Sequence, residues 1–187
     1  MVMSPLENVN EIFNLYKNYG EDDYIGEPVS QIEHMCQAAD FAKEEGYDEE
    51  VILAAFSHDI GHFCFRESSD SMDGYGTIKH EKIGADYLRT KGFSERIAKL
   101  VENHVSAKRY LTFKNPNYFS KLSEASKKTL EFQGGIMTKE EAEKFENDDL
   151  FELSIKMRMW DEAAKEINKP LPDIELFKKI AFKILSK

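Results

Sequence analysis

The stretch Ser57-His58-Asp59-Ile60-Gly61-His62 decides the fold, and it closes an apolar run that begins at Val51. A helix through this run keeps the 3, 4, 7 spacing of a buried face, so His58 and its neighbour Asp59 arrive where a core leucine would normally lie. Buried polar groups need partners. The simplest partner for an adjacent imidazole and carboxylate is a divalent or trivalent metal ion, and a carboxylate has two oxygens that can bridge two metals.

Three further histidines follow the same pattern as His58. Each lies on the apolar face of its own predicted helix, one helix and one connection away from the next, and they are His34, His80 and His104. A single inward histidine is compatible with a structural role in a helical core. Four of them, one beside an inward aspartate, predict a metal site inside a helical bundle.

Helical carboxylates are expected to complete this site, because oxygen donors balance the charge of the metal. Asp161 is the best candidate, since it shares an apolar stripe with Leu153, Met157 and Trp160. An alternative stays open at this point: Asp161 could instead pair with Arg158, one turn earlier on the same helix.

The remaining periodicity predicts an all-α fold, a single-domain helical bundle over residues 1–187 with about eight or nine helices. The predicted helices cover residues 5–19, 30–45, 48 to 61, 79 onward, 94 onward, 120–132, 138 onward, 150–165 and 172 to the end. Glycine and proline fall at the breaks, and no segment alternates as a strand would. Residues 64–76 are rich in Ser, Asp and Gly and are expected to form a loop near the end of the third helix.

Composition limits the classes of function. The chain has a formal net charge of -10, which argues against a nucleic-acid partner, because affinity for a polyphosphate depends on Lys and Arg. No apolar run approaches the length of a membrane span, and the N-terminus lacks the apolar core of a signal peptide. We therefore expect a cytoplasmic protein without a membrane partner, as a monomer or small homo-oligomer. The two cysteines, Cys36 and Cys64, do not form a Cys-x-x-Cys pair, which argues against a thiolate zinc site.

The order of the polar residues resembles a known signature. His34, the pair His58-Asp59 and the distant Asp161 are similar to the pattern of the HD superfamily of metal-dependent phosphohydrolases. The two extra histidines, His80 and His104, resemble those of the two-metal members. This resemblance implies the helical bundle of the superfamily and its metal site, and it leaves the reaction open.

A closer resemblance covers nearly the whole chain and is to the phosphonate-degrading HD oxygenases. The segments that carry it are Tyr24-Ile25-Gly26-Glu27, Gln31-x-Glu33-His34, His58-Asp59-x-Gly61-His62, Gly74-Tyr75-Gly76, His80-Glu81-Lys82-x-Gly84-Ala85-Asp86-Tyr87-Leu88, Gly92-Phe93-Ser94-Glu95-Arg96, His104-Val105-x-Ala107-Lys108-Arg109-Tyr110-Leu111, Ser126-x-Lys128-Thr129-Leu130-Glu131-x-Gln133-Gly134-Gly135 and Trp160-Asp161-Glu162. These enzymes are mixed-valence di-iron oxygenases. The resemblance implies cleavage of the carbon–phosphorus bond of a small 1-hydroxyphosphonate by dioxygen, in organophosphonate catabolism. The substrate favoured is (R)-2-amino-1-hydroxyethylphosphonate, which would give glycine and phosphate.

The resemblance also implies the ligands of two iron ions, one Fe(II) and one Fe(III), with Asp59 as a bridge between them. The first iron would further be bound by His34, His58 and Asp161, and the second by His80 and His104. Tyr24 would occupy the open coordination position of the first iron until substrate displaces it. Glu27 would be the hydrogen-bonding partner of Tyr24.

A cationic pocket for an anionic substrate can be placed from the sequence. Lys108 follows His104 by one turn on the same helix face, and Arg158 precedes Asp161 by three residues, so both cations can approach the metals. Phosphonate oxygens accept charge-assisted hydrogen bonds from both side chains. The further phosphonate contacts that the resemblance implies are His62, Ser126 and Gln133.

Two alternatives use the same ligands. One is a two-metal phosphohydrolase acting on a nucleotide or another phosphate ester, and Tyr24 and Glu27 weigh against it. The other is a catalytically silent module that binds metal or senses a ligand. The amine end of the substrate also has alternatives, because an aromatic cage would suit a trimethylated amine whereas a carboxylate suits a primary amine. We favour a primary amine bound by Glu27.

Overall fold

The chain folds into a helical bundle, as the sequence predicts. A computed structural model describes residues 3–24, 26–64 and 71–187. The helices in these residues are α1 (Pro5–Tyr19), α2 (Gln31–Glu44), α3 (Glu49–Ser57), α4 (His80–Thr90), α5 (Glu95–Lys114), α6 (Pro116–Lys121), α7 (Glu124–Phe132), α8 (Lys139–Glu146), α9 (Phe151–Ala163) and α10 (Ile174–Leu185). A short 3-10 helix, Ile60–His62, follows α3. In these ranges, β pairing is limited to two isolated bridges, and no helix is long and apolar enough to cross a membrane.

Capping residues fix where several helices begin. Ser4, Ser30 and Thr138 form capping boxes, in which the hydroxyl accepts a backbone N–H and a glutamate three residues later reaches back. Asp48 and Ser94 accept backbone N–H groups at the starts of α3 and α5. The caps at Ser30, Asp48 and Ser94 therefore fix the starts of the helices that lead to His34, His58 and His104.

Helix α3 is the centre of the fold. All its residues from Val51 to Ser57 are buried, and it packs against α2, α5 and α10. The ring of Phe56 stacks on Phe177 of α10 with centroids 4.3 Å apart and on Tyr16 of α1 at 4.5 Å. Burial of a large aromatic side chain stabilises a fold by about 2–3 kcal/mol. This rigid core positions the polar residues that directly follow α3.

The end of α3 differs from the prediction. The sequence predicts a helix that carries both His58 and Asp59, whereas the helix ends at Ser57 with His58 as its C-cap. Asp59 has φ -103° and ψ 9°, so the chain turns there before the short 3-10 helix. Gly61 lies so close to α4 that a Cβ atom would be 1.9 Å from the carbonyl oxygen of His80. The contact between this turn and α4 brings His80 next to Asp59.

The segment predicted as one helix over residues 120–132 is two helices. α6 begins at Pro116, where Asn115 caps it, and α7 begins after Ser123, whose hydroxyl accepts the backbone N–H of Ser126. Leu122 between them is extended, with ψ 144°. The break gives α7 its own direction, which the site requires. The predicted loop over residues 64–76 lies partly outside the described residues; within it, the segment from Ser71 forms a turn closed by a bridge to Thr77.

Candidate metal centre and anion pocket

Asp59 divides the four inward histidines into two pairs. Its Oδ2 lies 3.6 Å from the Nε2 of His34 and 3.4 Å from that of His58. Its Oδ1 lies 3.3 Å from the Nε2 of His80 and 3.4 Å from that of His104. One carboxylate therefore presents one oxygen to each pair, which is the arrangement of a ligand that bridges two metal ions.

Asp161 of α9 joins one of these pairs. Its Oδ1 lies 3.3 Å from the Nε2 of His34 and 3.8 Å from that of His58. Its other oxygen, Oδ2, accepts a hydrogen bond from Arg158. The two alternatives left open by the sequence are thus both present, since one oxygen faces the histidines and the other pairs with the guanidinium. The six histidines and aspartates of the cluster are each 3% exposed or less.

Backbone carbonyls fix the tautomers of three of the histidines. The Nδ1 atoms of His34, His58 and His104 lie 2.9, 2.8 and 2.6 Å from carbonyl oxygens, which belong to Ala164, Ala55 and Val101. A carbonyl can only accept, so each Nδ1 holds a proton. In the neutral imidazole, the Nε2 lone pair then points into the cluster. This is the orientation that metal-ligating histidines commonly have.

The facing lone pairs show that the donor set fits metal ions. The Nε2 atoms of His34 and His58 are 3.0 Å apart, and those of His80 and His104 are 3.1 Å apart. The Nδ1 atoms of His34 and His58 both hold a proton, so as neutral imidazoles these two would face each other with two Nε2 lone pairs and could not share a hydrogen bond. A cation next to each pair, with the Asp59 carboxylate between the pairs, removes this repulsion. His34, His58 and Asp59 form one group of atoms close enough to hold an ion.

Electrostatics in the cluster favour bound cations. Burial alone raises the pKa of Asp59, but the charges and hydrogen bonds of the surrounding histidines outweigh it and hold that pKa well below its usual range. Burial lowers the pKa of His34, but hydrogen bonds with Asp161 and Asp59 outweigh this and raise it to about 9, so the site attracts a positive charge, which is either a proton on His34 or a metal ion. The buried carboxylates therefore stay ionised and create a site for positive charge.

A cavity of about 70 Å³ opens beside the metal centre. Its walls include Asp59, Asp161 and the cations Lys108 and Arg158. A water molecule needs about 10–15 Å³ measured in this way, so the cavity has room for a ligand the size of a few waters. The cavity therefore fits a small anion next to the carboxylates.

The two cations are held by α7. The Nζ of Lys108 donates to the Thr129 hydroxyl at 2.7 Å and to the Gln133 Oε1 at 2.9 Å. Arg158 donates through Nη2 to the Ser126 hydroxyl at 3.2 Å. The structure thus brings together four of the predicted pocket residues. Thr129 was not predicted, although it lies three residues after Ser126 on the same face of the helix, and that spacing could have identified it.

A second set of contacts orients Arg158 from behind. Its Nε donates to the Tyr118 hydroxyl at 2.9 Å, and its Nη2 donates to Glu162 at 2.8 Å. The Tyr118 hydroxyl also donates to Glu162, at 2.5 Å. Burial, followed by the positive charge of Arg158, lowers the pKa of Lys108 to about 6. An anion in the cavity would favour the charged form of this lysine.

His62 faces the cavity as a neutral imidazole. Its Nδ1 accepts the backbone N–H of Thr77 at 3.1 Å, so its Nε2 carries the proton. The ring stacks on His80 with centroids 4.1 Å apart. Burial, followed by the nearby charge of His80, lowers the pKa of His62 to about 3. The side chain is therefore a hydrogen-bond donor to the cavity that remains uncharged at neutral pH.

Tyr24 and Glu27 also line the cavity. The Tyr24 ring stacks on the imidazole of His34, with centroids 4.0 Å apart and planes 12° apart. Burial, followed by the negative charges of the cluster, raises the pKa of Tyr24 well above its usual value. The structure gives Glu27 a different side-chain partner from the expected Tyr24 hydroxyl, because its Oε1 accepts from the Nζ of Lys165 at 2.6 Å. The backbone N–H of Glu27 donates to the Tyr24 carbonyl oxygen at 2.9 Å.

Comparison with known proteins agrees with these features. The HD domain family matches residues 32–152. A 1-hydroxy-2-(trimethylamino)ethylphosphonate dioxygenase of Leisingera caerulea, which forms glycine betaine, is 39% identical over 179 residues, covering 96% of this chain and 91% of the relative. A hydroxymethylphosphonate dioxygenase of Gimesia maris is 37% identical over 173 residues, covering 92% and 85%. An uncharacterised protein of Acanthamoeba polyphaga mimivirus is 44% identical over 183 residues, covering 97% and 84%.

Proposed function

The chain belongs to the HD domain family and is an oxygenase of that family, and we propose that it cleaves the carbon–phosphorus bond of a small 1-hydroxyphosphonate with dioxygen. One juxtaposition supports this reaction best. A carboxylate that faces two histidine pairs, Asp59, lines the same small cavity as Lys108 and Arg158. A phosphonate held by the two cations is therefore next to the candidate metal centre.

The proposed cofactor is a pair of iron ions, Fe(II) and Fe(III), with Asp59 as the bridging ligand. His34, His58 and Asp161 would complete the first site, and His80 and His104 the second. Imidazole and carboxylate donors suit iron. Iron, when bound, supplies the activation of dioxygen.

The protein's own residues bind and orient the substrate. Lys108 and Arg158 offer charge-assisted hydrogen bonds to the phosphonate oxygens, and the His62 Nε2–H offers a neutral one. Ser126 and Gln133, which hold these cations in the ligand-free protein, are positioned to share the phosphonate with them. Tyr24 covers His34 and would move aside when substrate arrives at the first site.

The proposal also concerns the end of the substrate opposite the phosphonate, where the substrates of the named relatives differ. One relative takes a trimethylated amine, and the other takes a substrate with no amine. Apart from imidazoles, the aromatic rings in the described lining of the cavity are Tyr24 and Tyr75, and Tyr24 stacks on His34. These rings do not form an aromatic cage, whereas Glu27 supplies a carboxylate. We favour (R)-2-amino-1-hydroxyethylphosphonate, with glycine and phosphate as products.

Anaerobic loading with ferrous iron, followed by air and the hydroxyphosphonate, tests the reaction. Dioxygen uptake and phosphate release are followed together and are expected to rise in proportion. Asp59→Ala is expected to abolish both. Asp86→Ala is the matched control, because Asp86 is an aspartate with a half-exposed side chain on α4. Hydrolysis of phosphate esters with several divalent metals, without dioxygen uptake on any hydroxyphosphonate, would overturn the proposal in favour of a phosphohydrolase.

A further inference from the structure

An ion pair between Lys165 and Glu27 lines the same cavity as Lys108 and Arg158. The Nζ of Lys165 donates to the Glu27 Oε1 at 2.6 Å, and the two side chains are 22% and 11% exposed. Lys165 also lies over the Tyr24 ring, with its Nζ 5.9 Å from the centroid. It directly follows Ala164, whose carbonyl oxygen is the partner of the His34 Nδ1. The position of this lysine is therefore fixed by the same backbone that orients a candidate metal ligand.

Gln31 provides a second acceptor in the lining of the same cavity. The residue is 8% exposed, and within the described part of the chain no donor reaches its buried Oε1. Its Nε2 donates weakly to the Asp23 carbonyl oxygen at 3.5 Å. A buried acceptor without a donor costs about 1–3 kcal/mol, so it is normally satisfied by a ligand or by water.

These two acceptors have different states in the ligand-free protein. The Glu27 carboxylate is paired with the Lys165 ammonium group, whereas the Gln31 Oε1 has no donor within the described residues. A primary ammonium on the substrate has several N–H groups and a positive charge, so it can satisfy both acceptors. A trimethylammonium group has the charge but no N–H donor, and an alkyl group has neither.

We propose that Lys165 is a specificity-determining residue, whose ammonium group occupies Glu27 in the ligand-free protein and competes there with the amine of the substrate. This inference rests on the proposed function, since it concerns the far end of the phosphonate. A ligand with a primary ammonium gains Glu27 and Gln31 but displaces Lys165. A ligand without N–H donors leaves the Lys165–Glu27 pair in place.

Removal of the competing cation should therefore change affinity selectively. Lys165→Met keeps an unbranched apolar stem and leaves Glu27 unpaired for the ligand. We expect 2-aminoethylphosphonate to bind about tenfold more tightly to this variant, which corresponds to about 1.4 kcal/mol. The affinity for propylphosphonate, in which a methyl group replaces the ammonium, should change less than about twofold. Gln31→Met should lower the affinity for 2-aminoethylphosphonate and leave the affinity for propylphosphonate unchanged.

The experiment is isothermal titration calorimetry of the iron-loaded protein under anaerobic conditions. Both phosphonates lack the 1-hydroxyl group, so binding is compared without turnover. Lys169→Met is the control, because the Lys169 Nζ lies over the Phe41 ring at 4.1 Å and the residue does not line the cavity. Lys165→Gln, checked for folding by its melting temperature, is a second variant that should show the same selectivity.

The outcomes separate this inference from the proposed function. Equal changes for both ligands, or weaker binding of the aminated ligand to Lys165→Met, would overturn the role of Lys165 while the reaction could still stand. Absence of turnover on hydroxyphosphonates, with the selectivity present, would overturn the reaction and keep the role of Lys165. A wild-type protein that binds neither phosphonate would overturn the amine site at Glu27 and Gln31, whereas the reaction on 1-hydroxyphosphonates is decided by turnover.

Discussion

Gly76 shows how one residue without a side chain can position another. It has φ +104°, and a Cβ atom there would be 2.5 Å from the Cε1 of His62. The next residue, Thr77, donates its backbone N–H to the His62 Nδ1. The glycine therefore allows the backbone of the turn to pack closely against the His62 ring. In this position the Thr77 N–H favours the tautomer with the proton on Nε2.

We predict that Gly76→Ala weakens phosphonate binding by displacing His62. Besides a cost of about 1–2 kcal/mol for the left-handed backbone, the methyl group must push the imidazole or the turn away. The expected result is a rise of about tenfold in KM for the hydroxyphosphonate, equivalent to about 1.4 kcal/mol, measured by phosphate release.

Gly74→Ala is the matched control for this prediction. Gly74 also has a positive φ, of +88°, but a Cβ atom there would meet nothing within 4 Å. Both variants should lower the melting temperature, because both carry the same kind of backbone strain, and Gly76→Ala should lower it further because its methyl group also meets the His62 ring. An equal rise in KM in both would show that strain in the turn, and not contact with His62, causes the effect.

At the scale of one helix, α7 presents its acceptors along a single face. Ser126, Thr129 and the cap residue Gln133 follow one another at about one turn, so their side chains share one face of the helix. Through this face they contact Arg158 or Lys108. The helix is only nine residues long, so its position depends on the break at Leu122 and on the cap at Ser123. This short helix therefore fixes the cationic wall of the cavity.

We predict that Thr129→Val raises KM with little change in kcat. Valine has the shape of threonine but cannot accept the hydrogen bond from Lys108. Lys108 is charged when an anionic substrate is bound, and a hydrogen bond to a charged group contributes about 1.5–3 kcal/mol. Steady-state kinetics should show a KM about tenfold higher. Thr90→Val, at the exposed end of α4, is the control, and the iron content of both variants should equal that of the wild type. A fall in kcat without a change in KM would contradict the positioning role of Thr129.

The elements also show which features the sequence can predict. Hydrophobic periodicity and Ser caps located α1, α2 and the start of α5 to within a residue or two, because those signals are local. The end of α3 was missed, since the turn at Asp59 depends on the contact between Gly61 and the distant His80. Lys165 and Gln31 were missed for the same reason. Lys165 pairs with Glu27, which is 138 residues away, and the burial of the Gln31 Oε1 depends on the folded chain, so no local sequence pattern predicts either.

At the scale of the whole molecule, the candidate metal centre joins five helices of the bundle. Its six histidine and aspartate side chains come from α2, the end of α3, α4, α5 and α9, and all are buried. Bound metals would therefore stabilise the folded chain, because such a site does not exist when the chain is unfolded. The assignment of each histidine to one of the two ions is open to a direct measurement.

We predict that His104→Ala retains about one iron per chain, whereas Asp59→Ala retains almost none, since Asp59 is the ligand that the two sites share. Iron content after desalting and the melting temperature with and without a chelator are the measurements.

His62→Ala is the discriminating control. His62, Asp59 and His80 are themselves close enough to hold an ion, but the His62 Nδ1 is occupied by Thr77 and its Nε2 carries the proton. His62→Ala should therefore keep both irons; a loss of one iron in it, with His104→Ala unaffected, would place the second ion on His62.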